Sequence, residues 1–307
     1  MDLSVVVPTY RRPADLRRCL GGLAAQTRLP AEVLVVARGD DAQTWEVLSD
    51  APAALPVRGV QVEAAGVVVA LNAALNAATG ELVAITDDDA VARPDWLERL
   101  ERCFGADGRL GGVGGRDVVH DASGSGVGAE PAVGLIRRYG RVIGNHHLGT
   151  GGARRVELLK GVNMAFRHEA LRGVRIDERL RGRGAQPHWE IDLCLAVVAA
   201  GWQLLYDPAI VVDHYPAQRF DEDQRIGRPL EALQNEVYNE TYSLLRNLPR
   251  WRGAVAIGYG IAVGTRLAPG IVTALERRLR GERVGPRLAA AERARLEALG
   301  DVIRRAA

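Results

Sequence analysis

Asp87, Asp88 and Asp89 are adjacent carboxylates placed directly after the apolar run 81–86. Like charges this close repel, so the cluster calls for an offset: a hard divalent cation with oxygen ligands, or a set of hydrogen-bond donors. A solvated acidic turn opening the next helix is the competing reading, because Arg93-Pro94-Asp95-Trp96-Leu97 is good helix-start chemistry. A second acidic pair, Glu190 and Asp192, opens a helical pattern that runs to Ala200. Backbone N–H groups there favour negative charge, and one carboxylate is a candidate general base; helix capping is the plain alternative. His214 closes the apolar run from Ile210, where a histidine is either a satisfied edge residue or a ligand. His146 and His147, in a glycine-rich stretch, are candidates for metal or substrate contact against simple exposure.

The elements that must position these groups follow from periodicity. Short apolar runs predict strands at 3–7, 32–37, 57–62, 81–86 and 111–119, the last with a glycine-rich lead-in. Helical spacing is read at 13–25, 41–48, 67–78 and 96–104, with Gly80 as the C-cap of the third helix. Strands alternating with helices predict a doubly wound, parallel sheet whose ligands bind beyond the carboxyl ends of the strands. The turns 8–12, 37–41 and 87–89 then converge on one cleft. Residues 120–156 read as a long loop, 160–166 as a return to the sheet before a helix near 168–171, and 210–214 as a strand. Beyond Arg219 the pattern is helical: 229–245, an apolar run at 253–265, and basic amphipathic stretches at 266–280 and 289–305.

With 307 residues, 47% of them hydrophobic, the chain can bury a large core as one large or two small domains. A net charge of +2, from 40 basic and 38 acidic residues, gives no case for nucleic acid as the main partner. Three scattered cysteines without a CxxC pair indicate neither zinc nor disulfides and suit a reducing compartment. The first residues lack the basic start and long apolar core of a secretory signal, so a cytoplasmic location is expected. The 253–265 run falls short of the ~20 residues that span a bilayer as a helix. It is expected to lie peripherally on the inner face of the plasma membrane, or else to pack on the catalytic part or support a homodimer.

In their order and spacing these segments resemble the family-2 glycosyltransferases, inverting enzymes of the GT-A-type fold that use nucleotide-diphosphate sugars. The resemblance rests on Val5-Val-Val-Pro-Thr-Tyr-Arg11, the helix carrying Asn72, Gly80-Glu-Leu-Val-Ala-Ile-Thr-Asp-Asp-Asp89, Lys160-Gly-Val-Asn-Met-Ala-Phe-Arg167, and Trp189-Glu-Ile-Asp-Leu-Cys-Leu195 through Asp213-His214. It implies a Rossmann-like, mixed and mostly parallel sheet with flanking helices over 1–220, followed by a helical extension over 221–307. It further implies that Asp89 and His214 hold Mn2+ or Mg2+, the imidazole suiting Mn2+ better. Pro8, Thr9, Arg11, Asp40, Asn72, Asp87, Asp88 and Arg219 are then expected to contact the nucleotide-sugar, with Arg38 as an alternative to Asp40. Lys160, Asn163 and Trp189 are expected on the acceptor side. Glu190 aligns with the family's base and Asp192 with an orienting carboxylate, although either is open as the base.

Two departures stand out. The family's Asp-Asp-Gly-Ser after the second strand is Ala37-Arg38-Gly39-Asp40-Asp41 here, and its Arg-Asn pair is Leu71-Asn72. A UDP-sugar donor and a glycan or lipid-linked acceptor, as in polysaccharide or cell-envelope synthesis, are the leading expectation. A sugar-phosphate nucleotidylyltransferase is the enzymatic alternative, although the turn after the first strand has no glycine. A catalytically silent sugar-nucleotide or glycan-binding module is the other.

Overall fold

The computed structural model describes residues 1–120, 128–221 and 229–306. In chain order the elements are β1 (Leu3–Pro8), α1 (Pro13–Ala24), β2 (Glu32–Arg38), α2 (Ala42–Ser49), β3 (Val57–Val62), α3 (Val67–Ala77), β4 (Leu82–Ile85), β5 (Ala90–Ala92), α4 (Trp96–Ala106) and β6 (Leu110–Val119). The short strands β7 (Leu135–Ile136), β8 (Val142–Ile143) and β9 (Arg154–Val156) follow, then β10 (Met164–Arg167), α5 (Trp189–Ala199) and β11 (Gln203–His214). The chain closes with α6 (Leu230–Asn247), α7 (Arg250–Ala262), α8 (Ile271–Leu279) and α9 (Gly285–Ala306).

Among the described residues, nine strands form the main sheet, in the order β3-β2-β1-β4-β10-β6-β11-β5, with β9 also on β11. Six run in one direction, and β5, β9 and β10 oppose them, so the sheet is mixed and mostly parallel. This is the mixed, mostly parallel sheet that the family resemblance implies; strand–helix alternation alone does not foretell β10, which lies antiparallel between β4 and β6. Alternation along β1 divides the core. Leu3, Val5 and Val7 face α1 and α4, whereas Val6 faces the side where α3, α5, α6 and α9 pack. Burial on both faces explains why β1, β2 and β4 read as continuous apolar runs.

Several boundaries depart from the sequence pattern for steric reasons. The glycines of 111–115 lie inside β6, where a Cβ on Gly111 would stand 2.4 Å from Trp202 Cβ and one on Gly115 would stand 1.9 Å from the Ile210 carbonyl oxygen. That second contact marks the irregularity at Asp207–Val211, across which 203–214 remains one strand. Gly80 is not the C-cap of α3, which ends at Ala77 and is followed by extended Ala78; glycine is needed at 80 because a Cβ would meet Ser4 N at 2.7 Å. Residues 168–171 form a 3-10 turn. The expected long loop contains the β7–β8 hairpin and β9, and its part at 121–127 lies outside the described residues. So does the segment 222–228, beside the boundary expected at 220–221. After it, α6 packs on α5 and α9 on α6, with Ala291, Ala294 and Ala298 in the same apolar core as Leu193 and Tyr238. Among the described residues, no helix is long and apolar enough to cross a membrane.

Candidate active site

The ends of β1, β4, β6 and β11 meet the start of α5 around a cleft of about 600 Å³. β4 stops at Ile85, and the next four residues form the turn that leads into β5. Asp88 reaches the turn that follows β1, where it accepts hydrogen bonds from Thr9 Oγ1 at 2.7 Å and Arg12 Nη1 at 2.8 Å. Asp89 accepts from the Ala217 backbone N–H at 2.9 Å, while its other oxygen, Oδ1, is buried without a hydrogen-bond partner. The three-residue strand β5 then pairs with the end of β11, with His214 opposite Ala90. That register carries His214 Nε2 to 3.4 Å from Asp89 Oδ1. Asp87, Asp89 and His214 each present a ligand atom within 4.8 Å of the others.

Electrostatics at this corner are those of crowded carboxylates around one imidazole. Burial, then repulsion from Asp89, pushes the Asp87 carboxyl up to about 6 against the pull of His214 and Arg219. Burial likewise raises Asp88 to about 7, although Arg12 pulls the other way. Asp89 is held low: burial opposes ionisation, but His214, the Ala217 N–H and Arg12 outweigh it. Burial would lower His214, yet Asp117 and Asp89 lift it to about 9. Asp117, fully buried on β6, lies 3.6 Å from His214 Nδ1 and accepts a hydrogen bond from Lys160 Nζ.

The donor set fits a divalent cation. Two carboxylates and an imidazole converge, a buried Asp89 oxygen has only the 3.4 Å contact with His214 among the described residues, and a carboxylate stands behind the other imidazole nitrogen, as orienting partners of metal-bound histidines do.

Opposite the cluster, α5 begins after His188, whose φ of 67° is left-handed. Trp189 and Glu190 in the first helical turn line the cleft. The Trp189 ring covers Gly161, where a Cβ would stand 2.4 Å from it. No described residue donates a hydrogen bond or an ion pair to the half-buried Glu190 carboxylate. Asp192 is two residues on, about 200° round the helix, and so faces away. It is fully buried and accepts from Arg246 Nη1 at 2.6 Å, Asn247 Nδ2 at 2.8 Å and the Asp177 N–H at 3.0 Å. Asp192 is thus corrected from a catalytic candidate to the tie between α5 and α6.

Further expectations are redirected by geometry. Asn72 brackets the Ile176 backbone, donating to its oxygen at 2.9 Å and accepting from its N–H at 3.2 Å, away from the cleft. Asn163 is also removed from the acceptor side. It is fully buried, accepts from Trp96 Nε1 at 2.8 Å and donates to the Arg116 and Ile210 carbonyls. Arg11 has a left-handed φ of 57°, which turns its side chain outward to a 3.5 Å contact with Asp40, while Arg12 points inward at the cluster. Asp40 is half exposed and outside the cleft wall; Arg38 lines it, 2.8 Å from Asp40 and stacked 4.3 Å above Tyr10. Pro8, Thr9, Lys160, Trp189, His214 and Arg219 line the cleft together with the aspartate triplet. His147 reaches its wall, whereas His146 is buried with Nε2 3.0 Å from the Leu158 carbonyl, and burial lowers it to about 4. Arg12 and Asp117 were not singled out from sequence. A charged Arg116-Asp117 pair inside the glycine- and valine-rich β6 was the available signal for the second.

Residues 4–174, more than half of the chain, match the family described as glycosyl transferase family 2. The chain belongs to glycosyl transferase family 2. Among curated members, it is 28% identical over 121 residues to an uncharacterized glycosyltransferase of Nostoc, covering 39% of this chain and 38% of that one. It is 33% identical over 103 residues to a glucosyl-dolichyl phosphate glucuronosyltransferase of Haloferax volcanii, covering 33% of each. The chain spans no more than 38% of the length of the curated relatives it matches. Among solved structures, residues 1–349 of TarS from S. aureus with UDP-GlcNAc superpose at a TM-score of 0.62 and 18% identity, over 99% of this chain and 81% of that one. A mannosyltransferase from Pyrobaculum calidifontis with GDP-Man and Mn2+ superposes at 0.54 and 20% identity, over 98% and 86%. These likenesses show the GT-A fold of the family-2 chain.

Proposed function

We propose that the chain is a metal-dependent inverting glycosyltransferase that moves a sugar from a nucleotide-diphosphate donor to a hydroxyl of a glycan or lipid-linked acceptor. One observation carries the reading: the Asp87–Asp89–His214 cluster and Glu190, which has no partner among the described residues, line the same cleft. The UDP-GlcNAc and GDP-Man held by fold relatives support a nucleotide-sugar donor, and the dolichyl phosphate named for a curated relative supports a lipid-linked acceptor. Tyr10, Val36, Arg38 and Val62 offer the flat and apolar surface a nucleobase needs, and Arg219 a cation for the diphosphate. Asp87, Asp89 and His214 would hold Mn2+ or Mg2+, which when bound neutralises charge on the departing diphosphate.

Glu190 accepts the proton of the acceptor hydroxyl as that oxygen attacks the anomeric carbon from the face opposite the diphosphate. The bond from carbon to phosphate oxygen breaks, its electron pair leaving with the nucleoside diphosphate, so the anomeric configuration inverts. Trp189 supplies an apolar ring face for the acceptor sugar, and Lys160 a positive charge at the rim of the cleft. A cytoplasmic location accompanies this reading, as the three cysteines are all free. The test is to incubate the chain with UDP- and GDP-sugars, Mn2+ and simple glycoside acceptors, and to read the new linkage by NMR. Inverted anomeric configuration is expected; a retained configuration, or transfer of the nucleotidyl group to a sugar phosphate, refutes the reading.

A further inference from the structure

Helices α7 and α8 each leave an apolar face uncovered. On α7 the exposed positions after Arg250 are Trp251, Ala254, Val255, Gly258 and Ala262, spaced three and four apart so that they share one stripe. On α8, Ile271, Val272, Leu275 and Leu279 are 59%, 47%, 58% and 80% exposed and form a second stripe. Leu267, in the connection between them, is 50% exposed. The inner sides of both helices are seated on the protein through Gly253, Ala256 and Ala274, so the outer faces are held in place rather than frayed.

Charge says what covers them. Between 250 and 288 the chain has eight arginines and two glutamates, with no lysine or aspartate, a net +6 within a protein whose total is +2. Arg252 and Arg277 pair with Glu157 and Glu282. Arg250, Arg266, Arg278, Arg280 and Arg283 are exposed, and none is in an ion pair with a described residue. A second copy of the same face would bring these fringes against each other, whereas an anionic surface with an apolar interior matches both the arginines and the stripes.

We propose that the α7–α8 face docks in the plane of an anionic lipid bilayer. The stripes sink to the acyl boundary, Trp251 sits at headgroup level and the five exposed arginines lie among the phosphates. Helices of 13 and 9 residues lie in such an interface without crossing it. On the inner side of α7 a cavity of about 350 Å³ shares Pro187 and His188 with the catalytic cleft. On the transferase reading, docking therefore presents the acceptor side to the membrane; the docking itself does not depend on that reading.

Co-sedimentation of the full chain with phosphatidylcholine vesicles, with and without phosphatidylglycerol, tests the surface directly. The wild type is expected to sediment with the anionic vesicles, to bind pure phosphatidylcholine weakly and to be released by salt. Arg278→Glu/Arg280→Glu should lower partitioning at least about fivefold for each arginine lost. Leu275→Glu/Leu279→Glu should abolish it, with the far-UV circular dichroism melt unchanged because both side chains are exposed. Failure to bind anionic vesicles, equal binding to both vesicle types, or unchanged binding by both variants overturns the proposal. So does a wild-type dimer that Leu275→Glu/Leu279→Glu dissolves while vesicles remain unbound, an outcome that assigns the face to a second copy. Donor turnover, measured alongside without vesicles, keeps a failure here separate from a failure of the transferase reading.

Discussion

The acidic groups at the end of β4 and those at the start of α5 are treated oppositely by the fold. At β4, Asp88 and Asp89 are buried and held by Thr9, Arg12 and the Ala217 N–H, so the carboxylates are fixed in position. At α5, Asp192 is bound from three sides while Glu190 is left with no described partner. Groups that grip a cation profit from being immobilised in advance. A base that must take a proton needs a lone pair kept unengaged. The contrast supports the roles proposed above, which residue type alone leaves undecided.

Charge removal at each position sharpens this contrast. Glu190→Gln should lower kcat by about 10²–10⁴-fold with donor affinity preserved, as isothermal titration and initial rates will show. Asp192→Asn should instead leave the rate per folded molecule nearly unchanged and destabilise the protein by about 2 kcal/mol, read from urea unfolding, because the buried side chain would lose its charge-assisted bond from Arg246, which keeps Asp177 as a second partner. A reversal of those two outcomes breaks the comparison. Asp117→Asn should weaken Mn2+ binding by about tenfold by loosening the support behind His214.

Smaller, but informative, is the response to pH. Asp87 and Asp88 titrate near 6 and 7 instead of in the usual carboxylate range, so the metal-free native state holds more protons than the unfolded chain and loses stability as pH rises towards 7. The stabilisation carried by protonated His214 is complete below its ordinary value near 6.5 and is lost as pH rises through about 9. Above about pH 7, where the opposing contribution of the buried, low-pKa His146 is complete, the melting temperature of the metal-free protein should therefore fall towards pH 9, and the increment produced by Mn2+ should grow over the same range as its ligands deprotonate.

Much of this arrangement was legible in the sequence. The apolar runs at 32–37 and 57–62 placed β2 and β3, and the aspartate triplet marked the end of β4. What escaped depends on long-range register. Ala90–Ala92 is too short to announce itself as a strand, yet its pairing with β11 is what brings His214 to Asp89. Met164–Arg167 has a strand's composition, but composition carries no direction, so β10's antiparallel course was hidden. Asn72 and Asn163 look like ligand contacts because they are polar residues within recognisable motifs; burial turned them into brackets for backbone groups. The opposed directions of Glu190 and Asp192 were readable from the 3.6-residue period alone. The choice between Arg11 and Arg12 was not, since it rests on one left-handed residue in a turn.

The most direct trial of the central claim is a thermal-shift comparison of UDP and GDP binding, with and without Mn2+, in the wild type and in Asp89→Ala. The account predicts a nucleotide-dependent rise in melting temperature that requires Mn2+ in the wild type and disappears in the variant. An equal rise without the cation, or an undiminished one in Asp89→Ala, would contradict it.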